Sequence, residues 1–167
     1  MVQRNLGDIL GNDCTSDRPA VIDLYDPVCP VTYRYQDLHR AASRCARILL
    51  AKNLPPKARI GIFALNSVHN MAAYMGIMQA GLVAVPVNTK LPAKTIAFIC
   101  KDARIELVFA DRECCEIIPA GVEVVSLPLS VDSADNSSSL DKFHHPEAGE
   151  TALILYTSGS TGRPKGV

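Results

Sequence analysis

The stretch Arg59-Ile-Gly-Ile-Phe-Ala-Leu65-Asn-Ser67-Val68-His-Asn-Met71-Ala72-Ala-Tyr-Met75-Gly-Ile-Met78-Gln79-Ala-Gly81-Leu82-Val-Ala-Val-Pro86-Val-Asn88 decides the fold. Its first seven residues are β-rich and almost wholly apolar, as a central strand of a parallel sheet must be when helices cover both of its faces. Asn66-Ser67 then offers an N-cap. Val68, Met71, Ala72, Met75 and Met78 recur at helical spacing, and Gly81 closes the helix. A second apolar run, 82–88, follows at once. Strand, helix and strand in that order predict a right-handed crossover between parallel neighbours.

The same alternation continues outward in both directions. Upstream, a helix is predicted over 36–52, with Leu38, Ala42, Cys45 and Leu49 on one apolar face and Arg40, Arg44 and Arg47 on a flanking, solvated one. Before it, 5–10 reads as a short amphipathic leading helix. Residues 20–25 and 31–33 read as a hairpin turning at Asp26-Pro27 and Cys29-Pro30. Downstream, Pro92 can stand in the first turn of a helix that directs Ile96, Ile99, Cys100 and Ala103 inward. A strand at 106–110, a short helix at 113–118 and a strand at 122–127 complete the pattern. The fold class is therefore α/β, a mainly parallel sheet flanked by helices. The segment 128–150 turns to Ser, Asp, His and Glu and is expected to be a mobile connector within the domain.

Composition narrows the function. Seventeen basic residues balance seventeen acidic ones, so no electrostatic footprint points to nucleic acid or to an anionic membrane. No apolar run approaches the roughly 18 residues of a membrane span. The first residues lack a signal-peptide pattern, which suggests a cytoplasmic protein. The six cysteines show neither C-x-x-C nor histidine spacing suited to zinc, and Cys114-Cys115 could not bridge each other without strain. They are expected to be buried, reduced thiols. His144-His145 has no carboxylate or thiol at ligand spacing and reads as a solvated pair; His69 reads as solvent-facing. No metal site is predicted within the chain.

The chemistry gathers in Thr151-Ala-Leu-Ile-Leu-Tyr156-Thr-Ser-Gly-Ser-Thr-Gly162-Arg-Pro-Lys-Gly-Val167. The run 152–156 is uninterruptedly apolar and reads as a strand buried on both faces. It breaks into four hydroxyls (Thr157, Ser158, Ser160, Thr161), three glycines (Gly159, Gly162, Gly166) and two cations (Arg163, Lys165). A loop that wraps a polyphosphate needs these types: glycine for close backbone approach, hydroxyls as donors, cations to offset charge. A Gly/Ser linker has a similar composition but no reason to grow from a buried strand. The P-loop of nucleotide hydrolases is excluded, because Lys165 follows Pro164 and precedes Gly166 where a Ser or Thr would hold Mg²⁺.

Tyr156 to Val167 resembles, at all twelve positions, the signature Tyr-Thr-Ser-Gly-[Ser/Thr]-Thr-Gly-x-Pro-Lys-Gly-Val of the adenylate-forming (AMP-binding) enzymes. These comprise acyl- and aryl-CoA synthetases, luciferases and the adenylation domains of peptide synthetases. Residues 79–88 resemble that family's Lys-Ala-Gly-x-x-x-x-Pro-[Ile/Val]-[Asp/Asn], with Gln79 for the lysine. Tyr35 to Leu38 resembles its helix start, with Arg34 where a hydroxyl cap is usual. Residues 87–111 are similar to bacterial fatty-acyl and aryl-CoA ligases.

The resemblance implies that 1–167 is the N-terminal, incomplete part of an AMP-binding domain, with the N-terminal subdomain of the acyl-adenylate-forming fold. It implies an acid–thiol ligase of the acyl-CoA synthetase type. Such an enzyme uses ATP, Mg²⁺ and coenzyme A to activate a carboxylic acid as acyl-AMP, release pyrophosphate and pass the acyl group to the CoA thiol. Thr157, Ser158, Ser160 and Thr161, with the Gly159 and Gly162 backbone, would hold the phosphates, and Lys165 would add charge. Arg163 falls at the family's variable position. The Mg²⁺-ligating glutamate, the ribose-binding aspartate and the C-terminal catalytic lysine are expected beyond Val167. No catalytic residue is expected within the chain, which alone should be inactive and needs the remainder of its polypeptide. A peptide-synthetase adenylation domain and a non-catalytic nucleotide-binding module remain as alternatives.

Overall fold

A computed structural model describes residues 5–24, 27–129, 144–147, 149–158 and 163–167. The run that opens the deciding stretch is β3 (Arg59–Phe63), and the sheet is built around it. β4 (Val83–Pro86) lies on one side of β3, β5 (Ile105–Asp111) on the other, and β6 (Glu123–Leu127) beyond β5. All three pairings are parallel. Ile60 stands level with Ala84 and Leu107, and Ile62 with Pro86 and Phe109.

Alternate residues of a strand face opposite ways, and here that rule divides the core in two. Ile60, Ile62, Ala84, Leu107 and Phe109 meet α1 (Tyr35–Ala51) and α2 (Val68–Gln79). Phe63, Val85, Val108 and Ala110 meet α3 (Ala93–Asp102) on the other face. The chain leaves β3 through α2 to β4, then crosses back over β3 through α3 to reach β5. Right-handed crossovers in opposite directions put their helices on opposite faces, which is the observed layering. The expected α/β class and parallel sheet are what the chain adopts.

Local signals act where the sequence placed them. Leu38, Ala42, Cys45 and Leu49 are the buried face of α1. They approach α2 so closely that a Cβ on Gly76 would lie 2.4 Å from Cβ of Cys45. Ser67 caps α2 by accepting from the Asn70 N–H at 3.2 Å. Arg34 gives α1 no side-chain cap, but the reciprocal half of a capping box is present: the Asp37 carboxylate accepts the Arg34 N–H at 2.9 Å. β1 (Pro19–Asp23) and β2 (Val31–Arg34) form the predicted antiparallel hairpin as a separate two-stranded sheet.

Four readings change. The leading segment forms two 3₁₀ turns, Leu6–Asp8 and Gly11–Thr15, because so short a run cannot repay α-helix nucleation. The short helix after β5 is likewise 3₁₀, Arg112–Ile117. All six cysteines are free, but only Cys45, Cys100 and Cys114 are buried, and Cys29 is exposed. His69 does not simply face solvent: it is half-buried, edge-on to the Tyr33 ring with centroids 6.2 Å apart, and burial lowers its pKa. Among the described residues no helix is long and apolar enough to cross a membrane.

Candidate functional site

The segment 152–155 runs beside β4 in the same direction as the rest of the sheet. It is joined at one bridge, Leu153 beside Ala84. Two hydrogen bonds make that bridge: the Ala84 N–H donates to the Ala152 carbonyl at 3.0 Å, and the Ile154 N–H to the Ala84 carbonyl at 2.9 Å. On its outer side Leu155 and Val167 exchange two backbone bonds of 2.9 Å. From there the chain continues as β7 (Tyr156–Thr157), antiparallel to β8 (Lys165–Gly166). The described ends of the signature are therefore two short antiparallel strands joined by a two-residue ladder.

The expectation that 152–156 is buried on both faces is not met. Leu155 is 47% exposed, and Ala152, Leu153, Ile154 and Tyr156 are only partly buried. The segment is a sheet margin: β4 lies to one side and its own returning strand to the other. Among the described residues, Ile154 and Tyr156 join the α3-side core, while Leu153 lies against the α1–α2 side.

Tyr156 anchors the hairpin. Its hydroxyl donates to Asp102 Oδ2 at 2.5 Å, in the last turn of α3. Burial, and then this bond to a carboxylate, raises the phenol's pKa. The ring lies over Gly166, its cross-strand partner; a Cβ there would sit 3.2 Å from Cζ of Tyr156 and 3.0 Å from Cγ2 of Ile154. That close approach gives the glycine two residues after Pro164 a structural reason of its own.

One step along the ladder, Thr157 and Lys165 are direct cross-strand partners, so their side chains leave the same face. Both are exposed, and no described residue forms an ion pair with Lys165. A hydroxyl and an ammonium thus stand together at the mouth of the loop, a donor set that fits phosphate oxygens. Ser158 is exposed at the start of the loop, and Arg163 is exposed on the return. Gly159, Ser160, Thr161 and Gly162 lie outside the described residues. Among the described residues no group of three His, Cys, Asp or Glu is placed to hold a metal.

At the switch point of the sheet, between the carboxyl ends of β3 and β5, Asp111 Oδ2 accepts the Leu65 N–H at 2.7 Å and ties the two strand ends together. The hairpin lies beyond β4, on the other side of β3 from β5. A cavity of about 300 Å³ lies behind the amino end of β4, against Asn5, Leu6, Gly81, His144 and Glu150. His144 and His145 are exposed loop residues, as expected, but His144 is also tied: its Nε2 is 2.8 Å from Glu150 Oε2. Sequence reasoning missed Asp102, Asp111 and Glu150. Their partners lie 54, 46 and 6 residues away, and no local motif announces those pairings.

The sequence model of the family described as AMP-binding enzyme matches residues 12–167. The dimodular nonribosomal peptide synthase of Bacillus subtilis (strain 168) is 31% identical over 149 residues, with 82% of this chain and 6% of that protein covered. Among solved structures, the Mycobacterium tuberculosis fatty acyl CoA synthetase is 27% identical with a TM-score of 0.66, over 84% of this chain and 30% of its own. VinN superposes on the entire chain with a TM-score of 0.81 at 23% identity, over 43% of its own length, and so speaks to the fold alone. The chain spans a small part of its curated relatives, from 2% to 12% of their lengths.

Proposed function

The chain belongs to the AMP-binding enzyme family, and from that premise we propose that it is the N-terminal part of an ATP-dependent acyl-CoA synthetase. The observation that carries the reading is the pairing of Thr157 with Lys165 across the mouth of a hydroxyl- and glycine-rich loop. In this reading Thr157, Ser158, Ser160 and Thr161, with the Gly159 and Gly162 backbone, hold the β- and γ-phosphates of ATP. A carboxylate attacks the α-phosphate, the bond to the β-phosphate oxygen breaks, and negative charge grows on the departing pyrophosphate. Donors already fixed toward that charge stabilise it without reorganising, and Lys165 adds a positive charge beside them. Mg²⁺ would share that neutralisation, held by residues outside this stretch. Coenzyme A supplies the thiol that takes the acyl group from AMP.

The CoA acceptor is supported by the likeness of 87–111 to fatty-acyl and aryl-CoA ligases and by the fatty acyl CoA synthetase among the similar structures. A second reading has its own support, because curated relatives include the nonribosomal peptide synthase of Bacillus subtilis. In that reading this protein would adenylate an amino acid and pass it to a carrier-bound thiol.

The test is pyrophosphate exchange into ATP by the full-length natural protein, offered fatty, aryl and amino acids, followed by assay of thioester formation with CoA. Exchange with a fatty or aryl acid and CoA thioester formation are expected. Lys165→Met and Thr157→Ala should each lower kcat/KM by roughly 10²-fold, as for loss of one preorganised donor. Amino-acid-dependent exchange without a CoA product would select the second reading. Absence of ATP binding by the intact protein would sink both.

A further inference from the structure

The apolar run 152–156 poses a problem of register. A strand slip of one residue exchanges its two faces, and a buried alternating pattern normally forbids it. Here Ala152, Leu153, Ile154, Leu155 and Tyr156 are apolar on both faces, so the pattern discriminates poorly between registers. The single bridge at Leu153 contributes only two hydrogen bonds. Something else must fix where this segment stands, and with it where Thr157 and Lys165 stand.

Glu150, three residues before the bridge, is placed to do so. Its side chain is 17% exposed and gripped from two sides. Oε2 is 2.8 Å from His144 Nε2, and Oε1 is 3.7 Å from Lys57 Nζ. Both partners are fixed to the frame at the amino end of β4. Lys57 sits in a turn with φ of 62°, directly before Ala58, whose carbonyl accepts the Val83 N–H at 3.0 Å. The His144 N–H donates to the Gln79 carbonyl at 3.0 Å, and its own carbonyl accepts from Asn5 Nδ2 at 2.9 Å. Its ring fills the space over Gly81, where an added Cβ would lie 2.6 Å from the imidazole Cγ. The hydrogen bond from His144, with Lys57 nearby, lowers the Glu150 pKa, so the group is a carboxylate at neutral pH.

We propose that Glu150 is a positioning residue that sets the register of the loop-bearing strand against β4 and thereby the placement of Thr157 and Lys165 for phosphate binding. The proposal rests on the reading of the hairpin as a phosphate loop. It explains why a chain returning at 144 is tied at once to α2, to Asn5 and to the turn before β3. Tyr156 and Asp102 pin the same segment at its other end.

The experiment uses the full-length protein with Glu150→Gln, which keeps the shape and removes the charge. Two readouts are taken: amide hydrogen exchange over 152–157 and the KM for ATP in pyrophosphate exchange. Faster exchange at the Ile154 amide and a rise of roughly tenfold in the KM for ATP are expected, with the KM for the acid unmoved; misplacement by an ångström can cost more than this. His144→Asn, which leaves the Lys57 contact, should give a smaller rise. Adding it to Glu150→Gln should cost less than the sum of the two single effects, because both weaken the pair between His144 and Glu150. Should Glu150→Gln not fold, the graded effect of His144→Asn carries the test. Unchanged Ile154 protection in whichever variant folds would overturn the proposal, as would an ATP KM within about twofold of wild type beside an active enzyme. If the wild type binds no ATP, the phosphate-loop reading fails instead, and the exchange readout still decides whether Glu150 sets the register.

Discussion

Ala84 has a strand on either side, and the two are held in different ways. Toward β3 it belongs to a ladder of four registered positions, flanked by Ile60 and Ile62 at 0% and 2% exposure. Toward 152–155 it makes one bridge, to a segment whose Leu155 is 47% exposed. β3 is positioned by which residues must be dry: Ile60 and Ile62 face α1 and α2, while Phe63 faces α3. The marginal segment buries Leu153, Ile154 and Tyr156 only in part and, on the proposal above, is positioned also by polar side chains, Glu150 at one end and Tyr156 at the other. The difference separates a frame fixed by burial from a functional edge fixed in part by a few directed bonds.

The sharpest way to break this contrast is to delete bulk from each region in turn. Phe109 is fully buried in the frame, opposite Ile62. Phe109→Ala should cost about 3–5 kcal/mol in chemical denaturation, since the lost transfer energy is joined by a cavity. Leu155→Ala at the margin should cost less than about 1 kcal/mol, because little apolar area leaves water in the folded state. Comparable costs at the two sites would show that the margin is held by burial after all.

The same contrast explains what the sequence could reveal. Most elements of the frame carried a local signal; the stripe expected for α2 was only partly right, since Met71 is exposed while Ala73, Gly76 and Ile77 are buried. The stripe Leu38, Ala42, Cys45, Leu49 named the buried face of α1, Ser67 named the start of α2, and Ile96, Ile99, Cys100 and Ala103 named the inner face of α3. These signals are local, so one sequence suffices to read them. The composition of the candidate loop was legible too, because hydroxyl, glycine and lysine are chemistry rather than position. What could not be read was how the loop is held. The run 152–156 looked buried because it is apolar, yet apolar content does not tell a central strand from a marginal one. The pairings of Tyr156 with Asp102 and Glu150 with Lys57 depend on tertiary placement, and a tyrosine or a glutamate gives no advance sign of its partner.

Tyr156 allows the polar side of the contrast to be measured. Tyr156→Phe keeps the ring over Gly166 and removes only the bond to Asp102. A cost of about 1 kcal/mol is expected, the usual net value of one hydrogen bond, and smaller than the cost of Phe109→Ala. The phenol's folded pKa is raised, so its stabilisation is complete below the ordinary tyrosine range and is lost as pH rises through the folded value. The difference between wild type and variant should therefore be constant from neutral pH to about 10, then close. An ultraviolet titration should show one late-ionising phenol fewer in the variant. A difference already fading at neutral pH would mean that the hydroxyl is not bonded to a carboxylate.

The frame also has a polar pin, and it should matter least. Asp37 accepts the Arg34 N–H at the start of α1 and an Arg40 bond at 2.5 Å, and the backbone bond is the chief cause of its lowered pKa. A carboxylate so held contributes stability above its unfolded pKa, near 3.8, and loses it as pH falls through the lower folded value. Asp37→Asn should cost about 0.5 kcal/mol at neutral pH, the low end for a helix cap, because the pair with Arg40 is exposed and screened. That cost should shrink below about pH 4, and added salt should remove only the Arg40 share. α1 would remain seated throughout, since Leu38, Ala42, Cys45 and Leu49 hold it by burial. If Asp37→Asn instead cost more than Tyr156→Phe, directed bonds would weigh as heavily in the buried frame as at its edge. The division between the two regions would then have to be drawn on other grounds.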